Sequence, residues 1–313
     1  MSEFASRASR RSILVGLIGQ GVKPSLTPEM HEREALRQGL RYVYKTIDLD
    51  DDQTDPTHLR QLLAYAVQLG FDGLNVTHPV KQAMVPLVDE VTPNVAAIEA
   101  LNTVVISEGK TVGHNTDITG FGAAFRAGLG DVRLDEVVLL GAGGAGTAVA
   151  HALSQLGAAR LLVIDPVTAR SARLVESVQH LGVGAEAAAL DASEVRPALV
   201  RASGVVNATP IGMADHPGVP IPVDALHHGL WVADIVYRPL LTELLRTARE
   251  RGCRVLDGAG MAVHQAAAAF ELIAGRPADH QAMARDLDEL VAAEVERVPS
   301  RHPDSGTPGE RNQ

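Results

Sequence analysis

Glu136-Val-Val-Leu-Leu140 runs directly into Gly141-Ala-Gly143-Gly-Ala-Gly146, and that turn opens the apolar stretch Thr147–Leu156. The Val/Leu run reads as a buried strand, the glycines as a tight turn and the stretch beyond them as a helix. The spacing is G-x-G-x-x-G in a strand–turn–helix setting, the context that a dinucleotide site requires. Gly141 permits the turn, Gly143 lets the backbone approach a pyrophosphate, and Gly146 lets helix and strand pack closely. The helix start, Gly144-Ala145-Gly146, offers free N–H groups and a partial positive charge to the phosphates. The next strand, Leu161–Ile164, ends at Asp165, 19 residues past Gly146. A carboxylate at that point is placed to grip ribose hydroxyls and repels a 2′-phosphate, so NAD is expected over NADP. Asp165 can also cap the helix that follows, where Arg170 and Arg173 are the nearest cations. The apolar run Val137–Ala159 has the length of a membrane span, but its four clustered glycines, His151 and Gln155 favour the strand–turn–helix reading.

On both sides of this unit short β-rich runs alternate with helical ones. Strands are expected at Ile13–Ile18, Tyr42–Ile47, Gly73–Val76, Thr103–Ile106, Arg160–Ile164, Gly204–Val206, Trp231–Ile235 and Arg254–Leu256. Helices are expected at Pro56–Leu69, Asp117–Leu129, Leu241–Arg251 and Met261–Ala274. Asp55 reads as the cap of the first, with Pro56 at its first position and Gly70 as its stop. Alternation of this kind argues for parallel sheets covered by helices, an α/β fold. The composition changes near Asp117. Clusters of Ser, Thr, Asn and Lys precede it, and a continuous apolar β-α-β unit follows, so the domain boundary is placed there.

The chain has 313 residues, enough for two domains, and 46% hydrophobic against 21% charged residues excludes a largely disordered chain. A net charge of −10 disfavours nucleic acid and anionic membranes as partners. The single cysteine, Cys253, excludes an intrachain disulfide framework and a Cys-rich metal site, and fits a reducing compartment. His78, Asp72 and Asp89 do not have metal-ligand spacing, so no metal is expected. Residues 1–12, Ser/Arg-rich with no secretory apolar run behind them, read as a frayed N-terminus, and 299–313 as a disordered tail.

Four short motifs share one character, a strand end followed by small polar side chains. They are Ser25-Leu-Thr27-Pro28, Asn75-Val-Thr77-His-Pro-Val-Lys81, Asn102-Thr-Val-Val and Asn115-Thr-Asp117. Strand ends facing a cleft are where open α/β sheets place ligand groups. The set suits a small polyhydroxylated substrate, whose hydroxyls need partners once desolvated. With Asn207-Ala-Thr-Pro-Ile-Gly-Met213, Asp234-Ile-Val-Tyr237-Arg-Pro and Gln265, the order of these motifs resembles the shikimate/quinate dehydrogenase family from Ile13 to about Gly275. The resemblance implies a two-domain α/β protein. Its parts would be a substrate-binding domain over 13–117, a Rossmann-type doubly wound NAD domain over 118–259, and helices over 260–295 that return to the first domain.

By the same resemblance, Ser25 and Thr27 would hold a substrate carboxylate with Tyr237 nearby, and Thr77, Asn102 and Gln265 would bind ring hydroxyls. Lys81 and Asp117 would flank the hydroxyl that is oxidised. Asn207, Thr209, Pro210 and Met213 would line the cofactor pocket, with Gly258 near the nicotinamide. Glu99 stands where the family usually has glycine, Ala262 and Val263 replace a commoner Leu, and Asp165 replaces an Asn-Arg-Thr turn. The last change, with Thr27 in place of a second Ser, resembles the NAD-preferring quinate/shikimate branch. The expected activity is NAD-dependent oxidation of quinate or shikimate to the 3-dehydro ketone, and the reverse, by a cytoplasmic monomer or homodimer serving shikimate-pathway biosynthesis of aromatic amino acids or quinate catabolism. Two alternatives stand beside it: a non-catalytic ligand- and NAD-binding regulator, and a dehydrogenase for an aminated ring analogue.

In that chemistry Lys81 serves as the proton relay with Asp117 beside it. Burial lowers a lysine pKa and a nearby carboxylate raises it, so residue types alone leave the balance open. His31 and His78 have no orienting carboxylate in the sequence and are expected to stand outside catalysis.

Overall fold

The computed structural model describes residues 12–180 and 186–297. The expected tail over 299–313 lies outside the described residues, as does all of the expected frayed N-terminus except Ser12, which opens the first strand. Two six-stranded sheets carry the chain.

The first sheet contains β1 (Ser12–Gly19), β2 (Arg41–Asp48), β3 (Gly73–Val76), β4 (Glu90–Val91), β5 (Thr103–Ser107) and β6 (Lys110–His114), in the order β2-β1-β3-β5-β6-β4. Strands β2, β1 and β3 are parallel, as the alternation with α1 (Thr27–Arg37) and α2 (Pro56–Gln68) requires. The sheet then departs from the all-parallel expectation, because β5 is antiparallel to β3 and forms a hairpin with β6. Glu108 and Gly109 both have positive φ, 53° and 79°, in the two-residue turn that joins them, a turn that matches the right-handed twist of a hairpin. Asp55 caps α2 as expected, accepting from Thr57 N and His58 N. Leu59 and Leu63 of that helix pack on Ile18, Leu74, Val76 and Val104. Between β4 and β5 lies α3 (Pro93–Ile98).

Helix α4 (Thr116–Leu129) leads to the second sheet: β7 (Val137–Leu140), β8 (Arg160–Ile164), β9 (Glu186–Leu190), β10 (Gly204–Asn207), β11 (Trp231–Asp234) and β12 (Arg254–Leu256). All pairs are parallel, in the order β12-β11-β10-β7-β8-β9. That order reverses direction between β7 and β10, the switch point at which doubly wound sheets bind ligands. Alternate residues face opposite layers. Val137 and Leu139 join Phe121 and Phe125 of α4 and Val149 of α5 (Gly144–Gln155). Val138 and Leu140 join Leu199 of α7 (Val195–Arg201) and Leu245 of α8 (Glu243–Glu250). Each such side chain contributes about 1.5–3 kcal/mol when fully buried. Helix α6 (Thr168–His180) stands between β8 and β9.

The last two helices, α9 (Gly258–Ala274) and α10 (His280–Arg297), lie against the first sheet's layer. Met283 and Leu287 of α10 pack with Met30 of α1 and with Val263, Ala266 and Ala267 of α9. Arg37 ties α1 to α10 through Asp286 at 2.7 Å, and holds Glu34 at 2.8 Å. Among the described residues no helix is long and apolar enough to cross a membrane, and none forms a cluster able to hold a metal.

Candidate active site

The glycine turn is built as its spacing requires. Gly141 has φ +93°, a left-handed value that glycine adopts without penalty. At Gly146 a Cβ would lie 2.0 Å from the Gly141 carbonyl oxygen, so only glycine lets α5 start so close to the strand. At Gly143 a Cβ would meet nothing within 4 Å, leaving open space over the backbone. No side chain caps α5, so the first-turn N–H groups around Gly144 and Ala145 are open to an anionic ligand. Asp165 ends β8 and turns toward this loop. Its Oδ2 accepts from Ala142 N and its Oδ1 from Val167 N, both at 2.8 Å. Its carboxylate thereby braces the glycine turn.

In front of the turn lies a cleft of about 1190 Å³, with Thr77, His78 and Lys81 on one wall and Ala142, Gly143, Gly144 and Ala145 on the other. Arg170 and Arg173 from α6 and Glu99 from the end of α3 also border it. The Lys81 stem crosses the gap, with its Cδ 3.7 Å from where a Cβ on Gly144 would stand. Its Nζ donates to Asp117 Oδ2 at 2.6 Å, with the two side chains 19% and 8% exposed. Asp117 is placed by the start of α4, where Asn115 caps the helix by accepting from Asp117 N and Ile118 N. Asn102 Nδ2 donates to the other Asp117 oxygen at 2.9 Å.

Ser25 with Thr27, Tyr237 and Gln265 come from three separate segments. Ser25 Oγ accepts from Thr27 N at 3.3 Å, and Tyr237 packs in one cluster with Leu26 and with Ala262 and Ala266 of α9. Burial pushes the Tyr237 hydroxyl up, so it stays a neutral donor. Arg238 donates to the Pro24 carbonyl and to Glu294 at 2.7 Å, tying the loop that carries Ser25 to the second sheet and to α10. Gln265 lies on α9 with its Nε2 donating to the Ala262 carbonyl at 3.2 Å, where the α9 backbone approaches α4 so closely that a Cβ on Gly120 would lie 2.8 Å from Gln265 N.

Other sequence-derived positions have different surroundings. Asn207 is fully buried. It donates to the Ile211 carbonyl and Asp234, and accepts from Thr209 N and Oγ1, so its amide shapes the 207–211 loop. Thr209 Cγ2 packs beside Gly141, and Ala208 reaches the cleft wall. Pro210 follows in an exposed turn, and Met213 lines a second hollow with Arg238 and Pro239. Gly258 opens α9, where a Cβ would lie 2.5 Å from the Ile235 carbonyl oxygen. His78 borders the cleft in an exposed position. His31 is completely buried away from the cleft, and burial holds its pKa at about 3. Glu99 occupies the left-handed region, φ 51° and ψ 33°, as the C-cap of α3, which gives glycine its advantage there. The sequence reading passed over Thr116, which accepts from Asn102 Nδ2, and over Thr103 and Tyr44. Of these, Thr116 and Thr103 sit inside motifs already singled out.

Residues 17–104 match the model of the shikimate dehydrogenase substrate binding domain, and 137–211 match that of the saccharopine dehydrogenase NADP binding domain. A shikimate dehydrogenase (NADP(+)) of Streptomyces avermitilis is 53% identical over 91% of this chain and 98% of the relative. The chain belongs to the shikimate/quinate dehydrogenase family. Another member, the quinate/shikimate dehydrogenase (NAD(+)) of Corynebacterium glutamicum strain R, is 48% identical over 86% of this chain and 95% of its own. Quinate dehydrogenase from Corynebacterium glutamicum, solved in complex with NAD, superposes with a TM-score of 0.84 at 45% identity, covering 89% of this chain and 99% of that one.

Proposed function

We propose that the protein is an NAD-dependent dehydrogenase that oxidises one ring hydroxyl of quinate or shikimate to the 3-dehydro ketone and catalyses the reverse reduction. The observation that carries this reading is the 2.6 Å Lys81–Asp117 pair, with the lysine stem laid against Gly144 of the glycine turn. The open space over Gly143 and the uncapped α5 N-terminus fit a pyrophosphate. When bound, NAD supplies the hydride acceptor. Lys81 takes the hydroxyl proton during oxidation. In reduction its ammonium polarises the carbonyl and returns the proton. Asp117 holds the ammonium in place. Ser25, Thr27 and Tyr237 receive the substrate carboxylate, and Thr77 and Gln265 receive ring hydroxyls. Asn102 reaches a ring hydroxyl only by exchanging one of its present partners.

The cofactor choice rests on the Asp165 carboxylate at the β8 end and on the likeness to the NAD(+) relatives. Arg170 and Arg173 at the cleft rim favour a second reading, in which NADP is also accepted. A binding protein without turnover has no need of the Lys81–Asp117 pair, which weighs against a regulator. The residues in place are compatible with an aminated ring analogue. The domains are read as 13–117 with 260–295, and 118–259. The compartment is read as the cytoplasm, in keeping with a single buried cysteine, and the protein as a monomer or homodimer.

A panel of quinate, shikimate and an aminated analogue against NAD and NADP, read as kcat/KM, separates these readings. Lys81→Ala abolishes turnover while NAD affinity is retained. A near-normal kcat in that variant removes Lys81 from the mechanism.

A further inference from the structure

Behind Asp117 the hydrogen bonds continue in one direction through the first sheet. Asn102 Nδ2 donates to Asp117 Oδ1. Thr103 Oγ1 donates to Asn102 Oδ1 at 3.1 Å, and Asn75 Nδ2 donates to Thr103 Oγ1 at 3.1 Å. The Tyr44 hydroxyl donates to Asn75 Oδ1 at 2.6 Å. All four side chains behind Asp117 are buried, Thr103 completely. Tyr44, Asn75 and Thr103 come from β2, β3 and β5, and Asn102 directly precedes β5, so the line runs across the sheet to the start of α4.

We propose that Tyr44, Asn75 and Thr103 are positioning residues that hold Asp117, through Asn102, in the orientation that presents Lys81 to the substrate hydroxyl. This proposal rests on the dehydrogenase reading of the Lys81–Asp117 pair. The direction of the line is fixed at both ends. At the Asn102 end, Thr116 N donates to Asn102 Oδ1 at 2.8 Å, and a backbone N–H can only donate, so that amide cannot turn over. At the Asn75 end, Nδ2 also faces the Asn102 carbonyl at 3.5 Å, and a carbonyl can only accept. Asn75 Oδ1 therefore points at Tyr44, and burial keeps that phenol protonated as a donor. Every dipole is aligned toward the carboxylate, the arrangement in which buried hydrogen bonds polarise one another. Removing the Tyr44 hydroxyl leaves Asn75 Oδ1 desolvated without a donor. Turning the amide over would bring its oxygen against the Asn102 carbonyl and take the Thr103 hydroxyl away from Asn102.

The test compares Tyr44→Phe, Thr103→Val and Thr103→Ser with the wild type in quinate and shikimate oxidation, with rates normalised to NAD-binding stoichiometry. Thr103→Val keeps the volume and loses the hydroxyl, and Thr103→Ser keeps the hydroxyl. Tyr44→Phe and Thr103→Val are expected to lower kcat about fivefold, the effect of one ordinary hydrogen bond. KM for NAD and for the ring substrate stays within about twofold, and Thr103→Ser restores kcat. Unchanged kcat in both Tyr44→Phe and Thr103→Val, in an active wild-type background, overturns the positioning role alone. So does a loss in Thr103→Ser equal to that in Thr103→Val. A wild type that turns over neither substrate overturns this proposal together with the reading beneath it.

Discussion

His31 makes the stability of the first sheet's layer depend on pH, with a sign and size that follow from its surroundings. The ring is enclosed by Tyr42, Tyr44 and Phe270, with ring centroids 6.0, 5.1 and 5.7 Å away. Tyr42 Oη and His31 Nδ1 share a hydrogen bond at 2.9 Å, and burial raises the Tyr42 pKa, so the phenol stays neutral. The other ring nitrogen, Nε2, is buried without a hydrogen-bond partner. A neutral ring suits this pocket and a charged one does not. Burial holds the folded-state pKa at about 3, against 6.5 for the free side chain.

Between those values the unfolded chain binds a proton that the folded chain refuses, so stability falls as pH drops below about 6.5. The slope approaches about 1.4 kcal/mol per pH unit, and between pH 7 and pH 5 the loss is about 2 kcal/mol. His31→Gln removes the titration and still offers Tyr42 an acceptor. Urea unfolding of both proteins at pH 7 and pH 5 measures the effect. Circular dichroism is the signal of choice, because the single tryptophan, Trp231, lies in the other sheet. His151, which burial lowers to about 4, titrates in both proteins and cancels in the comparison. If His31→Gln loses as much stability over this range as the wild type, to within about 0.5 kcal/mol, the buried neutral imidazole is not the cause.

Two further substitutions test the cofactor side. Glu99→Gly relieves a left-handed glutamate and is expected to raise stability by about 0.5–1 kcal/mol after the extra unfolded-state freedom of glycine is counted, seen as a higher urea midpoint at constant m-value. Asp165→Asn keeps an oxygen to accept from the turn and removes a negative charge from a region that also holds Arg170 and Arg173. The ratio of NADP to NAD kcat/KM is expected to rise about tenfold, equivalent to about 1.4 kcal/mol, and an unchanged ratio assigns the cofactor preference to other residues.

All nine strands expected from the sequence are present, and the other three lack a local signal, each for its own reason. Strand β4 has two residues, both exposed, which gives no periodic signal. Strand β9 is Glu-Ala-Ala-Ala-Leu, a run whose local preference is helical, and it becomes a strand by pairing along β8. Strand β6 follows a Glu-Gly turn, a weaker hairpin signal than Asn-Gly or Asp-Gly. Missing it hid the antiparallel half of the first sheet. The glycine turn was legible because Gly141 and Gly146 answer to local sterics, while Gly143 keeps the space over the backbone open. The start of α9 was less so: Met261 is its first strongly apolar residue, but Asp257 caps the helix by accepting from Ala259 N, four positions before Met261.

The polar motifs divide in a way that spacing alone does not reveal. A cluster of Ser, Thr and Asn at strand ends marks buried polar atoms that need partners, and the partner can be ligand or protein. Asn75, Asn102, Asn115 and Asn207 find theirs within the protein and are 5%, 4%, 5% and 0% exposed. They brace one another, cap α4 or close the 207–211 loop. Ser25, Thr27, Thr77, Tyr237 and Gln265 are only partly buried. A desolvated substrate hydroxyl gains most from a side chain whose hydrogen-bonding capacity is not already used. The asparagines of these motifs are therefore read as the frame, and we propose the half-buried hydroxyls as the surface that meets the substrate, with Gln265, whose amide nitrogen already donates to the Ala262 carbonyl, contributing through its oxygen. It follows that alanine at Ser25 or Thr27 should act mainly on KM, whereas changes within the frame act on kcat through Asp117.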